Sequence, residues 1–413
     1  MKIWGLLVFL GAMVQSHANS AELEVLHWWT SGGEAKSLKV LKDLLEKKQH
    51  TWKDFAVAGG SGSNAMTVLK SRVVSGNPPT AAQASGMGVR EWGEMDVLAN
   101  LDQLAKEEGW DNKIFPVVQQ VARFGGHYVA APVNIHRTNW MWVNKAIFHK
   151  VGVAVPKTWQ EFAQVSEKIR KAGYIPLAHG GQDWQDATVF ETIALGVGGA
   201  EFYRQAFVDL DPKVLGSQKM IEVFKIFRMV QGYTDRNAAG RDWNLATAMV
   251  IKGEAAMQIM GDWAKGEFKA SGKVAGRDYL CAPVPQTAGK FSFNTDSFIM
   301  FEQKSKEKKN SQMDLARMIL DPKFQEEFNL NKGSLPVRGD VSLARFDSCA
   351  KSAMEDFVEG SKNQGIVPSL AHSMAATADV KGAFLDVVTN FFNSKQAPED
   401  AVKKLSKAVR LAH

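Results

Sequence analysis

The stretch from Trp28 to Glu34 carries residue types suited to a polar ligand that has an apolar face. An indole ring offers a flat apolar surface and one N–H donor, and a carboxylate accepts hydrogen bonds from hydroxyl groups. Trp28 and Trp29 follow a short apolar run, and neighbouring strand residues point to opposite sides, which argues against both being ordinary core residues. Ser31 and Glu34 also have the spacing of a helix capping box, so the sequence favours a structural and a ligand-binding role for Glu34 about equally.

The chain is rich in tryptophan, with 12 tryptophans against 5 tyrosines. Besides the Trp28 stretch, four of them fall in predicted loops: Trp92, Trp184, Trp243 and Trp263. A single tryptophan more often packs in a core than against a ligand. As a set they favour a carbohydrate site, because the C–H face of a pyranose packs well on an indole ring.

Other chemistries have less support. The loop Gly59-Gly60-Ser61-Gly62-Ser63 lacks the Lys-Ser/Thr pair of a P-loop and the third glycine of a dinucleotide fingerprint, so we interpret it as a tight turn or a close backbone approach. The nine histidines form no HExxH motif and no G-x-S-x-G elbow occurs, so the sequence predicts no metal site, no cofactor and no serine nucleophile. The many carboxylates leave open the acid pair of a secreted glycosidase.

Hydrophobic periodicity predicts the elements that position these residues. Short strands are predicted at 23–26, 55–58 and 81–84, and helices at 34–48 and from the glycine-rich loop to Val74. This alternation predicts an α/β sheet covered by helices on both faces. The Trp28 stretch then follows the carboxyl end of the first strand, where open α/β sheets bind their ligands.

A second unit is predicted to begin near Pro132. Its predicted elements are a strand at 141–143, a helix that opens with the Thr158–Glu161 capping box and ends at Gly173, a largely helical region at 202–269, a strand at 297–301, and helices at 321–330, 383–392 and 398–411. The chain is long enough for two domains with cores of their own.

Composition indicates a globular protein, and the first 18 residues indicate that it is exported. Of the 413 residues 45% are hydrophobic, and the net charge of +6 comes from 50 basic and 44 acidic residues. The basic residues form no stripe interleaved with aromatic residues, so nucleic acid is not an expected partner. Residues 1–18 have the pattern of a secretory signal, with an apolar run too short to span a membrane. Export favours a disulfide between Cys281 and Cys349, with two buried free thiols as the alternative.

Several motifs together resemble the sugar-binding proteins of bacterial ABC importers, the family-1 extracellular solute-binding proteins. The motifs lie at 26–34, 132–137, 156–162, 255–257, 261–263, 294–298 and 332–338. The segment at 156–162 marks the broad family, whereas the Trp28-Trp29 and Asn294 to Ser297 segments are most similar to periplasmic glucose-binding members. The similarity covers nearly the whole chain after the predicted signal.

The resemblance implies an α/β, two-lobe periplasmic-binding-protein fold of type II, with a hinge that the chain crosses several times. It places residues 19–132 and 297–338 in an N-terminal lobe and residues 133–296 and 339–413 in a C-terminal lobe, with the sugar between them. The implied ligand-binding residues are Trp28, Trp29, Glu34, Gln83, Asn139, Trp243, Trp263, Asp296, Lys332 and His372. The family often has a basic residue shortly after the glutamine, where this chain has Ser85, which leaves one hydrogen bond of the family pattern open here.

The function implied by the resemblance is binding without catalysis. A monomer would capture a monosaccharide, with glucose expected, in the periplasm and deliver it to the membrane subunits of an ABC importer. A disaccharide or another polar solute is the alternative ligand in the same fold, and a secreted carbohydrate-active enzyme is the alternative from another class. Charged hydrogen-bonding groups would discriminate between epimers, and lobe closure would create the form that the transporter recognises.

Overall fold

The computed structural model describes residues 22–413, so the predicted signal segment lies outside the described residues. The strands are β1 (Glu22–His27), β2 (Thr51–Ala56), β3 (Ala81–Ser85), β4 (Arg123–Phe124), β5 (His127–Tyr128), β6 (Ala130–Pro132), β7 (His136–Arg137), β8 (Trp140–Asn144), β9 (Ile175–Ala178), β10 (Ala255–Ile259), β11 (Tyr279–Pro283), β12 (Phe291–Asn294), β13 (Asp296–Met300) and β14 (Ile366–Pro368). The helices are α1 (Gly32–Lys47), α2 (Ser63–Val74), α3 (Met87–Glu94), α4 (Asp102–Glu108), α5 (Trp110–Lys113), α6 (Pro116–Val121), α7 (Lys145–Val151), α8 (Trp159–Lys171), α9 (Asp183–Phe207), α10 (Pro212–Leu215), α11 (Gln218–Gln231), α12 (Trp243–Lys252), α13 (Ala264–Ala270), α14 (Lys306–Ile319), α15 (Pro322–Lys332), α16 (Ser348–Asn363), α17 (Ala378–Phe392) and α18 (Pro398–Ala412).

A five-stranded sheet in the order β2-β1-β3-β13-β6 combines four strands from the first part of the chain with β13, which comes much later in the sequence. Strand β1 runs parallel to β2 and β3, and β13 is antiparallel to β3 and β6. Helices α1 and α15 pack against each other beside this sheet. The predicted alternation of strands and helices is confirmed, although β2 begins at Thr51, four residues before the predicted start.

A four-stranded sheet in the order β11-β8-β10-β9 and a three-stranded sheet in the order β14-β12-β7 form the second part. Its core contains buried rings of α9, α11 and α17, among them Phe190, Phe224 and Phe391. The prediction that 202–269 is largely helical is wrong at β10, a buried strand in the middle of that region. A five-residue run that is buried throughout has no alternation that would distinguish strand from helix.

The chain crosses from one sheet to another wherever two strands that are consecutive in sequence belong to different sheets. It leaves the five-stranded sheet after β6 and enters β7 of the three-stranded sheet. It returns at Thr295, the one residue between β12 and β13. These crossings give the mixed α/β architecture with a repeatedly crossed hinge that the sequence analysis expects.

The cysteines and the tryptophans that the sequence places in loops have defined positions in the structure. Cys281 and Cys349 form a disulfide, which confirms the first of the two alternatives. Three of the four tryptophans assigned to loops lie in helices instead: Trp92 in α3, Trp184 in α9 and Trp243 in α12. Among residues 22–413, no helix is both long and apolar enough to cross a membrane.

Candidate functional site

A cavity of about 220 Å³ is lined by residues that follow strands of both larger sheets. Eight of the ten predicted ligand-binding residues line it: Trp28, Trp29, Glu34, Trp243, Trp263, Asp296, Lys332 and His372. Gln83 lies beneath the cavity, where its Oε1 accepts from the Trp28 backbone N–H at 3.1 Å. Asn139 lies away from it and donates to the Lys290 carbonyl oxygen at 3.0 Å, so the structure gives it a local bracing position.

Four indole rings form much of the cavity wall: Trp28, Trp184, Trp243 and Trp263. The ring centres of Trp184 and Trp263 are 6.3 Å apart. Both rings also contact the His372 imidazole, at centre distances of 5.8 and 4.9 Å. Such a group of aromatic faces can pack on the apolar side of a small ring while N–H groups and neighbouring polar residues bond its hydroxyls.

Trp29 has a different environment from its neighbour. Its side chain is 2% exposed, and its ring lies 5.7 Å from Phe298 and 5.2 Å from Phe328 between ring centres. The Lys332 ammonium lies 5.6 Å from the centre of the same ring. Trp29 is therefore a core residue with part of its surface at the cavity, whereas Trp28 is only half-buried, which agrees with the inference that the two tryptophans are not both ordinary core residues.

Glu34 closes the capping box that the sequence predicts, and its carboxylate also lies at the cavity wall. Its Oε2 accepts from the backbone N–H groups of Thr30 and Ser31 at 3.1 Å, and the Ser31 hydroxyl accepts from the Glu34 N–H at 3.4 Å. This capping box begins α1. Its other oxygen, Oε1, accepts from Lys332 Nζ at 2.8 Å at the cavity wall. The cap thus fixes the carboxylate that holds the lysine.

Lys332 reaches the cavity because α15 ends there. The helix begins at the Asp321 cap and ends at Gly333, whose φ is 93°. A Cβ on Gly333 would lie 2.4 Å from the Asp262 carbonyl oxygen, so the position requires glycine for both space and conformation. An ammonium carries three N–H bonds, and one of them is directed at Glu34, so the others can donate to a ligand.

Both carboxylate oxygens of Asp296, the first residue of β13, have hydrogen-bond partners within the protein. Its Oδ1 accepts from Gln83 Nε2 at 3.2 Å and from Ser85 Oγ at 3.1 Å. Its Oδ2 accepts from Asn134 Nδ2 at 3.1 Å and faces His136 Nε2 at 3.2 Å. Burial opposes ionisation, but the bonds and charge from His136 outweigh it and hold the pKa of Asp296 well below its usual range.

His136 lies between two carboxylates at the hinge. Its Nδ1 contacts Asp262 and its Nε2 contacts Asp296, and all three side chains are buried. Burial acts to lower the pKa of His136, but the charges of the two aspartates outweigh it and raise that pKa. Asp262 also accepts from the Arg137 backbone N–H at 2.9 Å, which fixes the triad to β7. An imidazolium flanked by two carboxylates is the arrangement that this geometry favours.

The glycine-rich loop after β2 closes one side of the cavity. A Cβ on Gly60 would lie 2.5 Å from ring atoms of Trp184, and a Cβ on Gly62 would lie 2.8 Å from the Trp28 ring. The loop therefore brings backbone against two indole rings, the close approach that the sequence analysis proposes as one alternative. Ser61 Oγ donates to the Ala371 carbonyl oxygen at 2.9 Å, which connects this loop to the segment that carries His372.

Sequence analysis missed several residues that line the cavity as candidate ligand contacts. They include Ser61, His136 and Asn294. Trp184 is among the tryptophans that as a set favour a carbohydrate site, but no local pattern shows that the start of α9 faces the Trp28 stretch. The other three lie within segments that the sequence analysis identifies for other reasons, so motif position could have indicated them but residue chemistry alone could not.

The structure combines a two-lobe α/β fold with a cavity that residues of both larger sheets and their following segments line. A family model described as bacterial extracellular solute-binding protein matches residues 30–323, and the chain belongs to this family. A "probable sugar-binding periplasmic protein" of Brucella melitensis is 48% identical over 401 residues, which are 97% of this chain and 95% of that protein. A protein of the same description from Rhizobium meliloti is 48% identical over 96% of this chain and 95% of its own length.

Solved structures of similar fold support the two-lobe architecture. The bacterial solute receptor AcbH, described as having an exclusive preference for b-D-galactopyranose, superposes with a TM-score of 0.80 over 95% of this chain and 99% of its own, at 15% identity. Maltose-bound MalE3 of T. maritima superposes with a TM-score of 0.79 over 95% of this chain and 100% of its own, at 17% identity. At these identities the likeness concerns the fold alone.

Proposed function

We propose that this protein binds a monosaccharide, glucose being the expected one, and delivers it to the membrane subunits of an ABC importer. The observation that carries the proposal is the combination of four indole rings with buried charged groups around one small cavity. Indole faces suit the C–H surface of a pyranose, and Lys332 and the indole N–H groups suit its hydroxyl oxygens. The names of the two relatives that are 48% identical support a sugar as the ligand class.

Cavity size favours a single sugar ring. The volume of about 220 Å³ is below the range of roughly 300–1,000 Å³ that is usual for drug-sized ligands. A disaccharide is the second candidate, because a separate groove of about 770 Å³ shares Trp28, Ser61 and Ser85 with the cavity wall.

We further propose that the protein does no chemistry on its ligand. A glycosidase needs one carboxyl group that donates a proton and another that acts as a base or nucleophile. Asp296 already accepts from Gln83, Ser85 and Asn134, and Glu34 is held by Lys332 and two backbone N–H groups, so neither is placed to exchange a proton with a substrate. Release of labelled products from an oligosaccharide by the purified protein would contradict this proposal.

The proposal also includes a division into two lobes, export to the periplasm and a monomeric state. Residues 19–132 and 297–338 would form one lobe and residues 133–296 and 339–413 the other, since the five-stranded sheet draws its strands from the first set except for Asp296, the first residue of β13. Residues 1–18 would direct export to the periplasm, where the protein would act as a monomer. Small-angle scattering with and without sugar would detect the lobe closure that this organisation requires.

Native mass spectrometry tests the ligand class directly. The mature protein is incubated with glucose, galactose, maltose and a non-sugar solute of similar mass, and the bound mass is recorded under gentle conditions. We expect one hexose per chain and a preference for glucose. Binding of maltose but of no hexose would replace the monosaccharide proposal with the disaccharide one, and absence of any sugar adduct would overturn both.

A further inference from the structure

One face of the cavity carries a buried imidazole nitrogen that has no hydrogen-bond partner among residues 22–413. His372 is 6% exposed and lines the cavity between the Trp184 and Trp263 rings. Its Nδ1 lies 2.8 Å from Ser369 Oγ. Its Nε2 has no hydrogen-bond partner within residues 22–413. A buried nitrogen without a partner costs stability unless a ligand or water satisfies it, so this atom indicates a ligand contact.

The bonds made by Ser369 determine which nitrogen of His372 carries the proton. A serine hydroxyl has one hydrogen, and Ser369 Oγ donates it to Glu191 Oε1 at 2.6 Å. Its oxygen can therefore only accept from His372, so Nδ1 is the protonated nitrogen. In a neutral imidazole Nε2 then has a free lone pair. Both hydrogen bonds therefore point the same way, because His372 donates to Ser369 and Ser369 donates to Glu191.

Glu191 is itself held as an acceptor. This fully buried residue of α9 accepts from the backbone N–H groups of Leu370 at 2.7 Å and Ala371 at 3.0 Å, and from the Tyr203 hydroxyl at 3.0 Å. Burial raises the pKa of Glu191 above its ordinary value, although these bonds, together with the one from Ser369, act in the opposite direction. The carboxylate also fixes the backbone of the loop that carries His372, so it determines both the position and the proton of the imidazole.

We propose that Glu191 and Ser369 are positioning residues that hold His372 in its Nδ1–H tautomer, so that Nε2 accepts a hydrogen bond from one hydroxyl of the bound sugar. The proposal deepens the proposed function and rests on it for the identity of the ligand. Its consequence is a chemical requirement on the ligand, since the group that meets Nε2 must be a donor. An O-methylated or fluorinated sugar at that hydroxyl cannot donate and is rejected.

The imidazole stays neutral over the working pH range. Burial, with smaller contributions from the charges of Lys381 and His136, lowers the pKa of His372 to about 3. A cationic His372 would donate from both nitrogens and would lose the acceptor. The acceptor therefore persists from neutral pH well into the acidic range, where an ordinary histidine is already protonated.

Nitrogen NMR of the ligand-free protein tests the tautomer without any sugar. Protein labelled with nitrogen-15 in histidine is recorded at neutral pH, and the His372 signals are assigned by their absence from a His372→Gln variant. We expect a protonated Nδ1 and an unprotonated Nε2 that remain unchanged to mildly acidic pH. A protonated Nε2, whether as the other tautomer or as imidazolium, would overturn the proposal.

A Glu191→Gln variant tests the relay, by which we mean the hydrogen bonds from His372 to Ser369 and from Ser369 to Glu191. The amide oxygen can still accept from Leu370 and Ala371, but the amide nitrogen then donates to Ser369 Oγ and frees the serine hydrogen for His372 Nδ1. We expect the Nε2–H tautomer and sugar binding weaker by roughly ten- to a hundredfold, the cost of one buried mismatched contact. Glu201→Gln, on the exposed side of the same helix, is the matched control and should change neither.

The outcomes separate this proposal from the proposed function. An unchanged His372 tautomer in folded Glu191→Gln protein would overturn the relay even if sugar binds. If that variant does not fold, Ser369→Ala decides instead, because loss of the Nδ1 acceptor should produce a mixture of tautomers, and a single Nδ1–H form there would overturn the relay. Absence of sugar binding by wild-type protein would overturn the proposed function, whereas the NMR result would still decide the state of His372.

Discussion

Gly60 and Trp184 are packed so closely that a Cβ on the glycine would lie 2.5 Å from atoms of the indole ring. Gly60 belongs to the loop after β2 of the five-stranded sheet, and Trp184 lies in the first turn of α9, which belongs to the other half of the molecule. The two halves thus meet over the cavity with only a hydrogen atom between backbone and ring. No side chain at position 60 is compatible with this closed arrangement unless the indole moves.

Gly60→Ala is therefore expected to oppose closure. The backbone conformation of Gly60 is accessible to alanine, because its φ is outside the positive region, so the effect comes from the contact with Trp184. Overpacking of this kind costs about 1–3 kcal/mol, which predicts sugar binding weaker by roughly ten- to a hundredfold. Titration calorimetry gives the affinity, and small-angle scattering with saturating sugar shows how far the lobes close.

The control for this variant is Gly88→Ala in α3, where a Cβ meets nothing within 4 Å. It should bind sugar as the wild type does and close to the same extent. Equal affinity of the Gly60 and Gly88 variants would show that the contact between Gly60 and Trp184 is not needed in the sugar-bound form.

The two adjacent tryptophans should respond differently to truncation. Trp28 is half-buried at the cavity, so Trp28→Ala should weaken sugar binding by about tenfold or more with little change in the unfolding temperature. Trp29 packs against Phe298 and Phe328, so Trp29→Ala should lower the free energy of unfolding by about 3–5 kcal/mol. Urea unfolding and calorimetry on both variants separate the two effects.

Trp52→Ala provides the comparison for a tryptophan outside the cavity, since Trp52 lies on β2 and is partly exposed. Its sugar affinity should equal that of the wild type. A stable Trp29→Ala protein that has merely lost its ligand would contradict the assignment of Trp29 to the core.

Lys381 gives the protein a pH-dependent stability at alkaline pH. Its Nζ donates to Ser61 Oγ at 3.2 Å and to Ser373 Oγ at 3.0 Å, so it connects α17 to the glycine-rich loop. Burial lowers the pKa of Lys381 to about 8, from an ordinary value of 10.5, although the charges of Asp183, Glu91 and Glu191 act to raise it. The folded protein therefore bears the cost of a buried charge below about pH 8.

Between about pH 8 and 10.5 the folded state loses this proton while the unfolded state keeps it, so stability due to Lys381 rises with pH. Relative to Lys381→Met, the wild type should gain about 3 kcal/mol in free energy of unfolding across that interval. Urea unfolding of both proteins at several pH values measures the difference between their free energies of unfolding. Other titrating groups contribute equally to both proteins, so their effects cancel in this difference. Parallel curves would mean that the lysine has an ordinary pKa in the folded state.

The disulfide should contribute to stability and not to binding. Cys281 in β11 and Cys349 in α16 are 68 residues apart, and neither lines the cavity. In the chain-entropy model, closing a loop of this length stabilises the folded state by about 4 kcal/mol. Replacing both cysteines by serine should lower the free energy of unfolding by that amount and leave the sugar affinity unchanged, as calorimetry at a temperature below unfolding will show.

Local pattern predicts much of this fold. The capping boxes and apolar spacing located α1 and α8 within two residues, because caps and periodicity are properties of the immediate sequence. Strand β10 was missed since its side chains are buried on both faces. The position of Trp184 opposite Gly60 could not be predicted either, because it depends on how two halves of the chain meet and not on any spacing within one of them.

The sequence indicates which residues line the cavity better than it indicates which hydrogen bonds they make. Eight of ten expected residues line the cavity, but the carboxylate of Asp296, one of the eight, already accepts hydrogen bonds from Gln83, Ser85 and Asn134. Sequence shows which groups are available and the family pattern shows where they meet. Neither shows which lone pairs the protein itself already uses. Those of Asp296 are used by Gln83, Ser85 and Asn134, whereas Nε2 of His372 has no partner within residues 22–413.

Titration calorimetry with D-glucose tests the central claim most directly. The mature protein is stripped of any retained ligand by unfolding and refolding, and the titration is repeated with the Trp28→Ala variant. We expect one site per chain on the wild type and binding weaker by about tenfold or more on the variant. No heat from glucose or from any other hexose on folded wild-type protein, or equal binding by the two proteins, would contradict the assignment of this cavity as a monosaccharide site.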